Sequence, residues 1–199
     1  MPEVHGNLEG MRKSTLDELA AFYDVQLDSD VFMPQDLLQS LCGYSAFLNR
    51  EIAVYITRDG EIADVFIGKA ASIDLPDIRL RRSERRLSMI RCIHTHPSGT
   101  GMLSDVDISA LTSMRFDAMC AVGVAADGHM TSTQCAFLDP SAPDGVNRTE
   151  VINARKMPQA EWMEMIEEAD HAYFAEVKEE KDGLERAVLV GIENEQSLD

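Results

Sequence analysis

The reactive side chains of this sequence are concentrated between His94 and Asp107, where two histidines and a carboxylate follow one another at short spacing. A buried strand is predicted to end at the histidines, and because side chains alternate along a strand, His94 and His96 project from the same face. The next apolar-periodic segment opens behind Ser104, a predicted N-cap, which puts Asp107 in the first helical turn, facing the strand. Two imidazoles and one carboxylate leave a tetrahedral zinc ion with one open position, as a catalytic site requires.

These residues also allow an interpretation without a metal. The histidines would then only end a strand, while Ser104 caps a helix and Asp107 is favoured there by the helix dipole. Helix capping does not require the histidine pair, so the sequence favours a metal site. Hydrolysis is a further step, because a metal site can be retained without turnover.

The flanking pattern predicts an α/β domain with a central mixed sheet and flanking helices. The N-terminal segment, residues 1–30, opens with a loop-like stretch over residues 5–10, and a capping box from Thr15 to Glu18 predicts a short helix after it. Pro34 suits the first position of a second helix that ends near Asn49. Two hairpins are predicted, at an Asp-Gly turn over residues 59–60, where both central positions favour positive φ, and at a second Asp-Gly turn over 127–128. With the strand before His94 they give five or six strands, one of them over residues 70–75.

The C-terminal part has a different character. A long helix with one acidic face is predicted over residues 158–179, and an Asp-Gly pair at 182–183 stops it. Residues 185–192 have the pattern of a buried strand of a different unit. We therefore expect a main domain over 31–150, an acidic linker helix over 151–183, and the truncated start of a further domain over 184–199.

Charge limits the partners of this chain. Its formal net charge of -17 repels a nucleic-acid backbone over a Debye length of about 10 Å, so any such contact must be local. Residues 79–86 carry five arginines. They form either a solvated segment paired with the protein's own acidic surface or a contact for an acidic partner or RNA phosphate.

The four cysteines lie in apolar or strand-like surroundings without Cys-x-x-Cys spacing. We interpret them as reduced core thiols, which is typical of a cytoplasmic protein. The sequence has no apolar run of about 18 residues, and no signal peptide is predicted. A membrane partner is therefore not expected.

The motif resembles the JAMM motif of MPN-type metalloproteases and of the bacterial RadC domain, carried here by His94, His96, Pro97, Ser104 and Asp107. The family also has a glutamate that begins an early core strand, and Glu51 occupies that place. Over residues 34–138 the resemblance implies a three-layer JAMM/MPN (cytidine-deaminase-like) fold. It also implies zinc bound by the histidines and the aspartate, Glu51 as general acid/base, Ser104 as the hydrogen-bond donor to the oxyanion, and a peptide or isopeptide substrate.

A second resemblance covers most of the chain. Segments 6–14, 49–55, 91–97, 103–111 and 185–192 are similar to the N-terminal extension of clostridial-type HflX GTPases and to the strand that follows it. This resemblance implies a contact with the large ribosomal subunit through a longer parent protein, and a non-catalytic regulatory or ribosome-docking module is the alternative function. No Gly-x-x-x-x-Gly-Lys-Ser/Thr loop occurs in the sequence, so GTP binding is not expected of these residues.

Ribosome co-sedimentation tests the arginine segment. If it contacts RNA, replacing Arg81, Arg82, Arg85 and Arg86 with Ser should weaken binding of a longer protein that continues past Asp199. The log-log salt slope should fall by about 0.7–0.9 for each phosphate contact that is lost. Unchanged binding with an unchanged slope would identify an ordinary solvated surface.

Overall fold

The computed structural model describes residues 3–28, 31–70, 88–138 and 146–150. Their strands are β1 His5–Gly6, β2 Ile52–Thr57, β3 Ile62–Ile67, β4 Ile90–His96, β5 Ala118–Val124, β6 Met130–Leu138 and β7 Val146–Glu150. Their α-helices are α1 Lys13–Ala20, α2 Gln35–Leu48 and α3 Asp105–Met114, with a 3-10 turn, Ala21–Asp24, after α1.

The strands form one mixed sheet in the order β1-β3-β2-β4-β5-β6-β7. The β1–β3 and β4–β5 pairs are parallel, and the other neighbours are antiparallel. The apolar side chains of α1 and α2 pack on one face of the sheet, while those of α3 pack on the other. The predicted α/β class with a central mixed sheet is confirmed, and the layers are compatible with a three-layer arrangement.

Both Asp-Gly hairpins are confirmed, but their turn type was wrong. We expected positive φ at both central residues, whereas only Gly60 and Gly128, each with φ 85°, have it. The Gly60 amide donates to the Thr57 carbonyl, and the Gly128 amide donates to the Ala125 carbonyl. Each hairpin therefore has a type I turn followed by a glycine in the left-handed conformation. This three-residue loop, one residue longer than the tightest hairpin loops, matches the right-handed twist of the strands.

The N-terminal segment departs from the sequence pattern. α1 begins at Lys13, and the predicted cap Thr15 lies inside the helix, where it is buried. The stretch at His5–Gly6, which we interpreted as a loop, pairs in parallel with β3 as an edge strand. Leu19 is fully buried in the same core as α2, so tertiary packing decides this helix's position.

The prediction that all four cysteines are reduced thiols was wrong for two of them. Cys120 and Cys135 form a disulfide, while Cys42 and Cys92 are free and buried. The paired cysteines are directly opposite each other in β5 and β6, and sequence spacing does not reveal this cross-strand register.

Several expectations lie outside the described residues: the strand predicted over 70–75 beyond Ala70, the arginine segment 79–86, the helix over 158–179 and the strand over 185–192. In the described part of the chain, every helix is too short or too polar to cross a bilayer.

A cluster of charged side chains lies close to the first residues of β4 and β5, largely shielded from solvent. The Arg58 guanidinium donates two hydrogen bonds to Asp117, whose side chain is fully buried, at 2.6 and 3.1 Å. Arg91 is also buried, and burial lowers its pKa to about 10, while the charge of Asp117 raises it. The carboxylate therefore compensates cations that are shielded from solvent.

Removing this carboxylate should destabilise the fold. We expect Asp117→Asn to lower the free energy of unfolding by about 3–5 kcal/mol, because buried cations lose their counter-charge. Urea denaturation measures this change. Asp59→Asn, at an exposed hairpin position, is the matched control and should change stability by less than about 0.5 kcal/mol. Equal effects of the two variants would contradict the role of Asp117.

Candidate metal centre

Strand β4 lies in the middle of the sheet and brings the histidines to its end. It pairs with β2 so that Ala53 faces His94, and with β5 so that His96 faces Gly123. Residues two apart on a strand share a face. The β4 strand therefore presents both imidazoles to the face that α3 covers, as the sequence predicted.

The side chains of His94, His96 and Asp107 converge on one point. The two Nε2 atoms are 2.9 Å apart, and Asp107 Oδ1 lies 3.1 Å from His94 Nε2. One ligand atom from each residue lies within 4.8 Å of the other two. His94 is almost fully buried, while His96 retains limited exposure. This group could bind a metal ion.

The N-terminus of α3 orients the aspartate. Ser104 caps the helix, and its backbone amide and its hydroxyl each donate to Asp107 Oδ2 at 2.7 Å. The Asp107 amide donates back to Ser104 Oγ, which completes a capping box. Because Ser104 occupies Oδ2, Oδ1 is the oxygen that approaches His94, while Oδ2 lies 3.9 Å from His96 Nε2.

The tautomer of His96 follows from its outer hydrogen bond. Its Nδ1 lies 3.0 Å from the Thr100 carbonyl oxygen, which can only accept. The proton of neutral His96 is therefore on Nδ1, and the Nε2 lone pair faces the convergence point. The His94 Nδ1 atom, by contrast, is buried without a hydrogen-bond partner among the described residues, so burial and packing hold that ring.

Glu51 lies directly before β2, on the same side of the sheet as the histidines. Continuing the β2–β4 register past Ala53–His94 puts Glu51 level with His96. Its backbone is held by two hydrogen bonds, from its amide to the Lys69 carbonyl and from the Gly68 amide to its carbonyl. The side chain is buried, and only 7% of the residue is exposed.

Burial raises the pKa of Glu51 to about 7, with the charge of His94 lowering it and that of Asp107 raising it. A carboxyl group with a pKa near neutrality can both accept and return a proton. For Asp107, burial favours the neutral acid, but the hydrogen bond and charge of His94 and the bonds from Ser104 outweigh it and lower the pKa. Burial and the charge of His94 lower the pKa of His96. The centre thus contains a carboxylate and a neutral imidazole, the forms that bind metals.

Three of the five predicted residues, His94, His96 and Asp107, therefore converge on one point. Ser104 holds Asp107, and Glu51 lies level with His96 beside the same strand. Ser104 is exposed, but its hydroxyl proton points to Asp107, so donation to an oxyanion would require rotation of the side chain. Sequence reasoning missed the Thr100 carbonyl, because a backbone acceptor has no residue-type signal. It also missed Thr95, whose hydroxyl accepts from the Ile52 amide at 3.0 Å and so ties the histidine strand to the start of β2.

Comparisons with protein-family models, with curated proteins and with solved structures find no match to this chain.

Metal content tests the candidate site directly. Protein prepared without chelator should contain about one zinc ion per chain, and His96→Ala should lose it because only two ligands remain. Elemental analysis and zinc titration measure this content. His129→Ala, at an exposed turn position, is the control and should retain the metal. Wild-type protein that neither contains nor takes up zinc would contradict the site.

Proposed function

We propose that this chain is a metal-dependent hydrolase domain. More particularly, we propose a zinc metallohydrolase of the JAMM/MPN type that cleaves a peptide or isopeptide bond. The proposal depends on one observation: two imidazole Nε2 atoms and a carboxylate oxygen converge beside a buried glutamate on the adjacent strand. Helix capping would explain Ser104 and Asp107, but not the histidines facing them.

The donor set supports zinc. Two imidazoles and one carboxylate oxygen suit zinc, whereas magnesium and calcium favour oxygen ligands. Three protein ligands leave a position for water or substrate, which distinguishes catalytic from structural zinc sites. The two Nε2 atoms lie 2.9 Å apart, close enough for both lone pairs to be directed at one ion.

When bound, zinc would lower the pKa of its water to about 7 and polarise the substrate carbonyl. The Glu51 carboxylate accepts a proton from the attacking water, and the resulting hydroxide adds to the carbonyl carbon. Glu51 then donates that proton to the leaving nitrogen as the C–N bond breaks, which yields a carboxylic acid and an amine. Its pKa of about 7 suits both steps. Asp107 and His96 hold their ligand atoms toward the reacting centre.

The resemblance to HflX extensions supplies a cellular setting for the proposal. The domain would belong to a longer ribosome-associated protein and would act on a substrate near the large subunit, without binding GTP itself. The non-catalytic regulatory module is a second candidate. It is favoured by the Ser104 hydroxyl, which serves Asp107 rather than an open oxyanion position.

Glu51→Gln separates these functions. The change keeps the side-chain size but removes the proton acceptor, so zinc should remain while hydrolysis falls by at least about 10²-fold. Cleavage is measured on fluorogenic peptides and on lysine-isopeptide-linked peptides, together with zinc content. Glu61→Gln, at an exposed hairpin residue, should leave the rate unchanged.

Two outcomes would overturn parts of this proposal. An unchanged rate in Glu51→Gln would assign proton transfer to another group. If zinc-loaded wild-type protein cleaves neither substrate class, the regulatory module is the better assignment.

A further inference from the structure

The ligand loop, residues 97–103, connects the strand that carries the histidines to the capping box of α3. Side chains from β6 hold this loop. The Gly101 amide donates to Ser132 Oγ at 2.9 Å, and the Leu103 amide donates to Gln134 Oε1, also at 2.9 Å. Both acceptors point to the sheet face that carries the metal centre, because residues two apart on β6 share a face. A third bond runs from the Thr131 hydroxyl to the Gly99 carbonyl at 2.7 Å.

The loop also lies directly on the sheet. Gly123, which faces His96 in β5, has no side chain between the strand and the loop. A Cβ atom at Gly123 would lie 2.6 Å from the Gly101 nitrogen and 2.7 Å from the Thr100 carbonyl carbon. Such distances are far below van der Waals contact, so the glycine is what allows the loop to approach.

The loop acts on the metal centre through its backbone. Its Thr100 carbonyl accepts the Nδ1 proton of His96 at 3.0 Å. A displacement of the loop would lengthen this bond, free the proton to move to Nε2, and remove a ligand lone pair. The Thr131 bond to the Gly99 carbonyl precedes Thr100 in the chain, and the two amide bonds to β6 follow it. Together they limit that displacement.

We propose that Ser132 and Gln134 are positioning residues of the metal centre: by holding the ligand loop against the sheet, they keep the Thr100 carbonyl on His96 and its Nε2 free for the metal. This inference rests on the proposed metallohydrolase site and deepens it. Neither side chain needs to touch the metal or the substrate. Their effect reaches the centre through one backbone carbonyl.

Isosteric variants test the proposal. Gln134→Met keeps the length of the side chain but removes the acceptor, and Ser132→Ala removes the hydroxyl. Each should weaken cobalt or zinc affinity by about 10- to 100-fold. Gln134→Glu keeps an acceptor oxygen and should bind within a few-fold of wild type. Thr133→Ala, on the opposite face of the same strand, is the matched control and should leave affinity unchanged.

A second readout follows the tautomer directly. Long-range ¹H–¹⁵N NMR of the metal-free protein should show His96 protonated on Nδ1 in the wild type, Gln134→Glu and Thr133→Ala. Gln134→Met and Ser132→Ala should shift the ring toward a mixture of tautomers. A purely structural role for β6 would lower the melting temperature without changing this signature. If Gln134→Met does not fold, Ser132→Ala carries the test.

The outcomes separate this inference from the proposed function. Unchanged affinity and an unchanged His96 tautomer in both Gln134→Met and Ser132→Ala would overturn the positioning role and leave the hydrolase proposal intact. A wild type that binds neither zinc nor cobalt would overturn the metal centre. A wild-type protein that binds metal but cleaves no substrate would overturn only the hydrolase function.

Discussion

The antiparallel register between β2 and β4 is the constraint on which the candidate site depends. It puts Ala53 opposite His94 and, two residues earlier, Glu51 level with His96. Because side chains alternate on a strand, a shift of one residue would turn Glu51 to the opposite face of the sheet, into the core shared with α2. The Thr95 hydroxyl accepts from the Ile52 amide at the end of this strand pair and so stabilises the register where the chemistry requires it.

The three candidate metal ligands are held by interactions that also stabilise the fold. The capping box that starts α3 occupies one oxygen of Asp107 and turns the other toward His94. The turn after β4 provides the carbonyl that orients His96. A helix cap and a loop hydrogen bond are ordinary stabilising devices, but at these positions they fix which atom of each ligand faces the centre. Stability and ligand geometry are therefore coupled at this end of the sheet.

Charge is distributed unevenly along the two central strands. Arg91, at one end of β4, is buried near Asp117, whereas the histidines and Asp107 meet at the other end. The Asp117 carboxylate is paired with Arg58, so its charge is already compensated. At the candidate metal centre, by contrast, the charge of His94 and the hydrogen bonds from Ser104 compensate Asp107. A divalent ion bound there would take over this compensation, whereas Asp117 belongs to an ion pair that needs no ligand.

The sequence by itself determined the local features of this protein. Four local features follow from short-range patterns, because their causes lie within a few residues. They are the hairpins at Asp-Gly, the end of α2 at Asn49, the strand that carries the histidines, and the helix start with Ser104 as N-cap and Asp107 in the first turn. Only the tertiary structure decided the parallel pairing of His5–Gly6, the contact between Cys120 and Cys135, the burial of Arg91 and the contact of Ser132 with the ligand loop. Each of these depends on which strands become neighbours and in what register, and that choice is made by packing over the whole sheet rather than by the residues beside each position.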